Sequence, residues 1–316
     1  MDLNNFLQGL PSHLVVSPLP HIRSKITTRK IMLRVVIALM PQAAAAVVIF
    51  GLRALAVELV SVASCVLLEF LWCTLRHTEK TYTDFSAVIT GLLLAFNLPV
   101  TVPLYLPVIG AAAAIIVTKM LFGGMGKNFA NPAIVGRITL AVSFPALMTN
   151  YTYPAPYIPC DAITSATPLA VSGKIPFLDL FFGTHGGVLG ETCALAILIG
   201  FVFLLATGTI DFTTPVTYVA CVALMSLIFG KDVVQQIFSG GLLLGAVFMV
   251  TDYTTSPFTR KGKIIFALGC GIITCLIRFF GNMNEGVSYS ILIMNLLVPF
   301  INSRTRRTPL GGEKIK

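Results

Sequence analysis

Five acidic side chains lie inside or at the ends of apolar runs: Glu58, Glu69, Asp84, Glu191 and Asp252. A carboxylate in such a place is costly in hydrocarbon and marks a path or site for a cation, a proton or a polar ligand. Asp252 ends a short apolar run at TDYTTSP (Thr251–Pro257); it is an ion or ligand group, or a helix-end residue paired with Arg260 or Lys261. Asp84 opens another short run, as a site residue or as a helix cap. Glu58 and Glu69 are eleven residues apart and share one face of a helix with 3.6 residues per turn, with Glu58 alternatively a rim residue. Glu191 opens a further run, either functional or simply favoured by the helix dipole. Arg137 and Arg278 sit within apolar runs, where they pair with these acids or contact a phosphate. Asn128 and Asn131 precede Pro132 and either orient a ligand or cap a helix. His13, His21, His77 and His185 lack metal-ligand spacing, so no metal is expected. A second kind of chemistry belongs to hydroxyls: DAITSATPLA (Asp161–Ala170) sets Thr164, Ser165 and Thr167 among small residues. On its residues alone it reads as a Thr-Pro turn with a Ser/Thr cap.

The elements that must position these groups are membrane helices. Apolar types make up 56 % of the 316 residues and charged types 11 %, against about 25 % charged in soluble domains. The mean hydropathy is +0.87. So few charges cannot coat a soluble protein of this size, and a water-soluble monomer is excluded. The expected fold class is all-α, a polytopic bundle of about ten helices at 31–50, 54–75, 85–98, 104–122, 129–149, 187–206, 212–229, 239–251, 264–280 and 286–302. The third and eighth are too short to cross about 30 Å of hydrocarbon as straight helices. Each ends near a proline (Pro99, Pro257), and such segments are tolerated only inside a bundle or along a cavity.

The net charge is +9, and the basic residues are distributed as topology signals. With the N-terminus inside, fifteen Lys and Arg fall in cytoplasmic segments and three (Arg53, Lys174, Lys231) outside, a strong positive-inside bias. An interaction patch is the weaker alternative, and no nucleic acid is expected as a partner. Both termini then face the cytoplasm. The expected order is a cytoplasmic segment (1–30), a first five-helix half (31–149), an outer loop (150–186), a second five-helix half (187–302) and a basic cytoplasmic tail (303–316). GLLL at Gly91–Leu94 recurs at Gly241–Leu244, and FGGM at Phe122–Met125 is echoed by FGNM at Phe280–Met283. The repeat has an odd number of spans, so the halves must be inverted, an arrangement that builds sites at mid-membrane from broken helices. Seven cysteines form no CxxC pair, so neither a disulfide framework nor a cluster held by this chain alone is expected. No cleaved signal peptide is expected.

Asp161, Thr164, Ser165, Ala166 and Thr167 resemble, in order, the motif to which a flavin transferase attaches FMN, with Ser165 where glycine is more usual. The resemblance implies that the Thr167 hydroxyl takes the FMN phosphate as a phosphodiester. Small neighbours suit the approach of a bulky donor. Further segments are spread along the chain: DFSAVITGLLLAFNLP (Asp84–Pro99), KNFANPAIVGR (Lys127–Arg137), GGVLGETCALAILIG (Gly186–Gly200), TDYTTSP and EGVSYSILIMNLLVP (Glu285–Pro299). Together they resemble the RnfD/NqrB family, membrane subunits of ion-translocating ferredoxin:NAD+ and NADH:quinone oxidoreductases. The length and short N-terminus are nearer the RnfD branch.

The resemblance implies ten spans in inverted halves, covalent FMN on the outer face at Thr167, and a non-covalent riboflavin nearer the cytoplasm. It also implies partners of the Rnf type: the membrane components A and E, an FMN-bearing component G, the peripheral components B and C with clusters and the NAD site, and the flavin transferase. The location implied is the bacterial plasma (inner) membrane. Electrons would pass between ferredoxin and NAD+ through the flavin, coupled to Na+ or H+ movement, with the ion path among Asp252, Asp84, Glu191, Glu58 and Glu69. The chain carries no catalytic residue of its own in this scheme. The rival readings are a solute or ion transporter or channel without redox chemistry, which the inverted repeat suits equally, and a scaffold that only docks other subunits.

Overall fold

The computed structural model describes residues 26–77, 81–152, 167–169, 175–281 and 285–306. Thirteen α-helical segments occur among the described residues: α1 Thr28–Phe50, α2 Leu52–Arg76, α3 Ser86–Phe96, α4 Tyr105–Ala111, α5 Pro132–Ser143, α6 Pro145–Met148, α7 Phe177–Phe182, α8 Ala194–Ala206, α9 Thr213–Ile228, α10 Val233–Phe238, α11 Leu242–Leu244, α12 Arg260–Phe280 and α13 Val287–Thr305. Two of them run on as π-helices, α4 through Ala112–Met120 and α11 through Gly245–Met249. The chain is an all-helical polytopic membrane protein. Each of the ten apolar segments holds a helical element, and α1, α2 and α12 are by themselves long and apolar enough to cross a bilayer.

The connections gather at two ends. At one, the loop end, Arg53 donates to the Val102 carbonyl (2.8 Å) and Thr101 to the Asn150 carbonyl (2.8 Å). At the other, the terminal end, Arg34 donates to Thr207 O (3.2 Å), Asn128 to Thr254 Oγ1 (3.0 Å) and Thr259 to Thr305 Oγ1 (2.8 Å). Within the first half α2 packs on α3 and on the α4 helix with its π extension; within the second, α9 packs on α12 and α12 on α13. The halves meet where α1 packs on α8 and α5 on α13.

The short third segment behaves as membrane physics requires. Nine of the eleven residues of α3 are buried, so the helix has no lipid face to satisfy. Its glycine permits this: a Cβ at Gly91 would lie 2.6 Å from the Val62 backbone, and Ser61 Oγ donates to Gly91 O at 2.7 Å. By contrast α1 and α2 present large apolar side chains outward, Val48, Leu52 and Leu75 among them, as lipid-facing helices do. Polar side chains join helices inside: the fully buried Tyr218 hydroxyl of α9 meets Thr274 Oγ1 of α12 at 2.7 Å.

Several boundaries differ from those expected by a few residues, and those of the fifth and sixth segments have a clear physical reason. The sixth segment is not helical from 187; α8 starts at Ala194. Residues 187–193 instead pair with the broken end of α3: Leu189 N donates to Leu98 O (3.1 Å) and Gly190 N to Phe96 O (2.8 Å). Those carbonyls have lost their helical partners where α3 stops, and a buried carbonyl must be paired. The fifth segment begins at Pro132 rather than 129 and breaks at Phe144 before Pro145, because proline supplies no N–H to continue the ladder.

Candidate functional site

The acids and bases singled out in the sequence fall into two separate regions, one at each end. At the terminal end Glu69 and Lys119 form a buried ion pair, with Nζ 2.9 Å and 2.8 Å from the two carboxylate oxygens. Thr81 Oγ1 donates to Glu69 at 2.6 Å, Lys119 to Ser86 Oγ at 2.6 Å, and Ser86 Oγ in turn to Asp84 at 2.5 Å. Asp84 also accepts from Ser86 N at 2.9 Å; the N-cap position itself is held by Phe85, so Asp84 ties the helix start to the network from one residue earlier. No motif in the sequence singles out Lys119. It lies in the π-helical part of the fourth segment, and π turns of this kind recur at functional sites.

Lys119 and Ser86 line a cavity of about 90 Å³ together with Asn128, Thr251, Asp252 and Phe248. Asp252 accepts from Thr254 Oγ1 (2.9 Å) and Thr255 Oγ1 (3.0 Å). The expected alternative of a pairing with Arg260 or Lys261 is not found; the base nearest in sequence that forms an ion pair, Lys263, bonds Asp211 instead. Asn131 caps α5 by accepting from Ala133 N (3.1 Å). Asn128 ties the 127–131 turn to the TDYTTSP turn. Three of the five acids thus converge on this cavity, two through Lys119 and one directly.

Glu58 shares the buried face of α2 with Glu69 but not its site. Eleven residues of helix separate them by about 16 Å, and among the described residues the Glu58 Oε1 atom has no partner. Arg137 bridges the halves: it pairs with Glu285 and donates to Asn97 Oδ1 (2.7 Å) and Ser288 Oγ (3.0 Å). Its acid is therefore Glu285, not one of the five acids expected to pair with it. Glu285 opens the EGVSYSILIMNLLVP segment and also accepts from Tyr151 (3.4 Å).

At the loop end lies Thr167. The motif residues Asp161, Thr164, Ser165 and Ala166 fall outside the described residues, whereas Thr167, Pro168 and Leu169 rest on the second half. The Gln235 side chain of α10 donates to the Pro168 carbonyl. Leu169 packs at Gly240, whose φ of +70° places it in the left-handed region with Gly241 after it. Phe177 and Phe181 of α7 pack their rings against Phe238 of α10, with centroids 5.4 and 6.4 Å apart. Polar atoms here are buried without hydrogen-bond partners among the described residues: Thr167 Oγ1, His185 Nε2, Glu191 Oε2, Thr192 Oγ1, Ser239 Oγ and Arg278 Nε. Such groups are rare in folded proteins and call for a reason. A Thr167 hydroxyl that bonds to nothing in the described chain fits a residue whose oxygen belongs to a covalent phosphodiester. Arg278 directs its other nitrogens to carbonyls, Nη1 to Gln236 O (2.7 Å) and Nη2 to Ser239 O (2.9 Å) and Gly240 O (3.0 Å). Of the two expected roles, pairing with the acids is therefore not the one found.

Residues 15–311 match the model of the "NQR2, RnfD, RnfE family". The chain is 46 % identical over 313 residues to the D component of the Na(+)-translocating ferredoxin:NAD(+) oxidoreductase complex of Acetobacterium woodii, covering 96 % of this chain and 97 % of that one. It is 38 % identical over 320 residues to the D component of the proton-translocating ferredoxin:NAD(+) oxidoreductase complex of Clostridium ljungdahlii (95 % and 96 % covered). It is 34 % identical over 332 residues to the D component of an ion-translocating oxidoreductase complex of Stutzerimonas stutzeri (92 % and 93 %). Near full-length matches of this kind, in a chain whose polar groups gather inside an apolar bundle, place it: the chain belongs to the NQR2, RnfD, RnfE family.

Proposed function

We propose that this chain is the membrane flavoprotein component, RnfD-like, of an ion-translocating ferredoxin:NAD+ oxidoreductase complex, with FMN on Thr167. The relatives' names support the complex, its translocating activity and partnership with other components of it; components A, B, C, E and G are those that the family resemblance implies. The observation that carries the flavin is the Thr167 hydroxyl, buried and without a partner among the described residues, at the end of a motif of small residues. Bound flavin supplies reversible electron transfer, which side chains at ordinary potentials do not. The chain supplies position. Gln235 and Gly240 hold residues 168 and 169 against the second half. Because Thr167 is buried in this arrangement, the flavin transferase must act while the segment is away from its shelf. In that step the threonine oxygen forms a bond to the phosphorus next to the flavin, the pyrophosphate bond of a flavin dinucleotide donor breaks, and the nucleoside monophosphate leaves while the hydroxyl proton is released.

The second flavin, riboflavin, is proposed to lie at the terminal end. The cavity there, at about 90 Å³, is smaller than a flavin needs, so in this reading the bundle opens to admit the ring; its lining of Val35, Ile89, Leu93 and Phe248 with Lys119, Asn128 and Asp252 offers an apolar face and polar groups. The ion path, for Na+ or H+, is proposed to include Asp252, Asp84 and Glu69 at this end and Glu58 and Glu191 towards the other. Among these, Asp252 has hydroxyl and amide partners but no basic one among the described residues, so a mobile cation is what compensates its charge. In this reading the two halves are inverted repeats, the termini are cytoplasmic and the Thr167 loop faces outward, across a bacterial plasma membrane.

The test is the mass of the peptide containing Thr167 from protein produced in its own host. An increase matching an FMN phosphodiester, with in-gel flavin fluorescence lost in Thr167→Ala, is the expected result. An unmodified Thr167 in a host that contains the transferase overturns the reading and leaves a transporter or channel without redox chemistry.

A further inference from the structure

Two of the unpartnered buried atoms at the loop end, on Ser239 and Arg278, flank the turn at Gly240, where Leu169, two residues after Thr167, also packs. Gly240 is the centre of this patch: a Cβ there would come within 2.5 Å both of Leu169 Cδ1 and of Arg278 Nη2. The segment that begins at Thr167 and the guanidinium of Arg278 therefore flank the same turn. Ser239 precedes that turn, and its hydroxyl is buried at 1 % exposure with no partner among the described residues. Arg278 uses Nη1 and Nη2 on neutral carbonyls and leaves the Nε–H unpaired. Arg278 is half-buried, with its Nε–H shut off from solvent, and a cation so placed and bonded only to carbonyls is uncompensated until an anion joins it. The acid within electrostatic reach, Glu191, forms no ion pair with it.

An anion that would complete this patch must be small, singly charged, rich in acceptor oxygens and held beside residue 167. A phosphodiester on the Thr167 hydroxyl meets each requirement: one negative charge at neutral pH and two non-bridging oxygens that accept N–H and O–H bonds. We propose that Arg278 and Ser239 form the seat of that phosphodiester, so that attaching the group clamps the Thr167 segment onto the second half. The inference rests on the reading of Thr167 as the flavin-bearing residue. It assigns two positioning residues separated from Thr167 by 111 and 72 positions of sequence. Arg278 supplies the countercharge and one N–H; Ser239 supplies one O–H.

The experiment compares each variant produced with and without co-expressed flavin transferase, purified in detergent, with the load at Thr167 checked by intact mass. Two quantities are read: the rise in melting temperature on loading and the fluorescence anisotropy of the covalent flavin. Loading is expected to raise the wild-type melting temperature by about 3 °C. Ser239→Ala removes an unpaired buried hydroxyl, so the unloaded variant should be as stable as wild type or more so, yet its rise on loading should shrink by about half. Arg278→Gln should abolish the rise and lower the anisotropy, and Arg278→Lys should restore part of both. Because Arg278→Gln also removes bonds to four carbonyl oxygens and can misfold, Ser239→Asp serves as the second variant: its carboxylate repels the phosphodiester, and both readouts should fall. Loaded Ser239→Asp and Arg278→Gln proteins with wild-type rise and anisotropy overturn the seat while leaving the flavin at Thr167 intact. Wild-type protein with no mass added at Thr167 overturns the underlying reading, and the seat with it.

Discussion

The two polar regions of the bundle use their side chains in opposite ways. Around Lys119 the groups answer one another: Glu69, Thr81, Ser86 and Asp84 form one closed chain of hydrogen bonds. Around Thr167 and Arg278 they do not, and buried donors and acceptors lack partners among the described residues. A closed network fixes one geometry for the cavity wall beside it. An open one is completed only by a group from beyond the described residues. The contrast teaches that polar groups in a membrane bundle divide by use: some shape a wall, and others wait for a partner. Of the acids, Asp252 stands between these extremes, bonded to hydroxyls but not to a base.

The sharpest way to break the contrast is at Thr167, where substitution by alanine should remove covalent flavin entirely, as measured by peptide mass and in-gel fluorescence. Next, Lys119→Met should destabilise the protein by about 3–5 kcal/mol, since it strands a buried carboxylate. Adding Glu69→Gln should recover most of that loss in melts in detergent. A small effect of the single substitution would mean that the network at the terminal end is not closed. Arg137→Ala should cost about 2 kcal/mol, because Glu285 is partly exposed and keeps its Tyr151 contact. The loss should fall on the junction of the halves, read as faster amide exchange in α5 and α13. The smallest effect is expected at the surface pair Lys263–Asp211. The hydrogen bond from Lys263 holds the Asp211 carboxyl below its ordinary value. A carboxyl lowered by folding stabilises above its unfolded pKa, and that contribution is lost as pH falls below about 4 and through the folded value. Lys263→Met should remove only this acid-side component from a stability–pH curve, and the aspartate is exposed enough that solvent screening keeps the change slight.

Much of this was legible in the chain. The apolar runs located the helical elements other than α7 and α10, because helices in hydrocarbon must be apolar along their length. The brevity of the third segment correctly implied a helix buried within the bundle. Asp84 was legible as a residue of the helix start, since its bond to Ser86 N joins near neighbours in the chain. Lys119 was not legible as a partner of Glu69: the two are fifty residues apart, and only a π-helical turn sets the ammonium at that carboxylate. Glu285 was hidden for a similar reason. Its partner Arg137 comes from the other half, and a lone acid at a helix start carries no sign of a cross-bundle pair. The late start of α8 was hidden too, since the need to pair the broken end of α3 is not written in residues 187–193.

Composition, hydropathy and the ordered motifs determined the class of the protein and its helices, and they pointed to one threonine. These depend on local transfer free energies and on short stretches of contiguous sequence. Which polar groups meet, which remain open and where Arg278 lies relative to Thr167 were decided by tertiary packing alone. Hydrogen bonds reach only about 3 Å, and the partners come from helices that nothing local brings together.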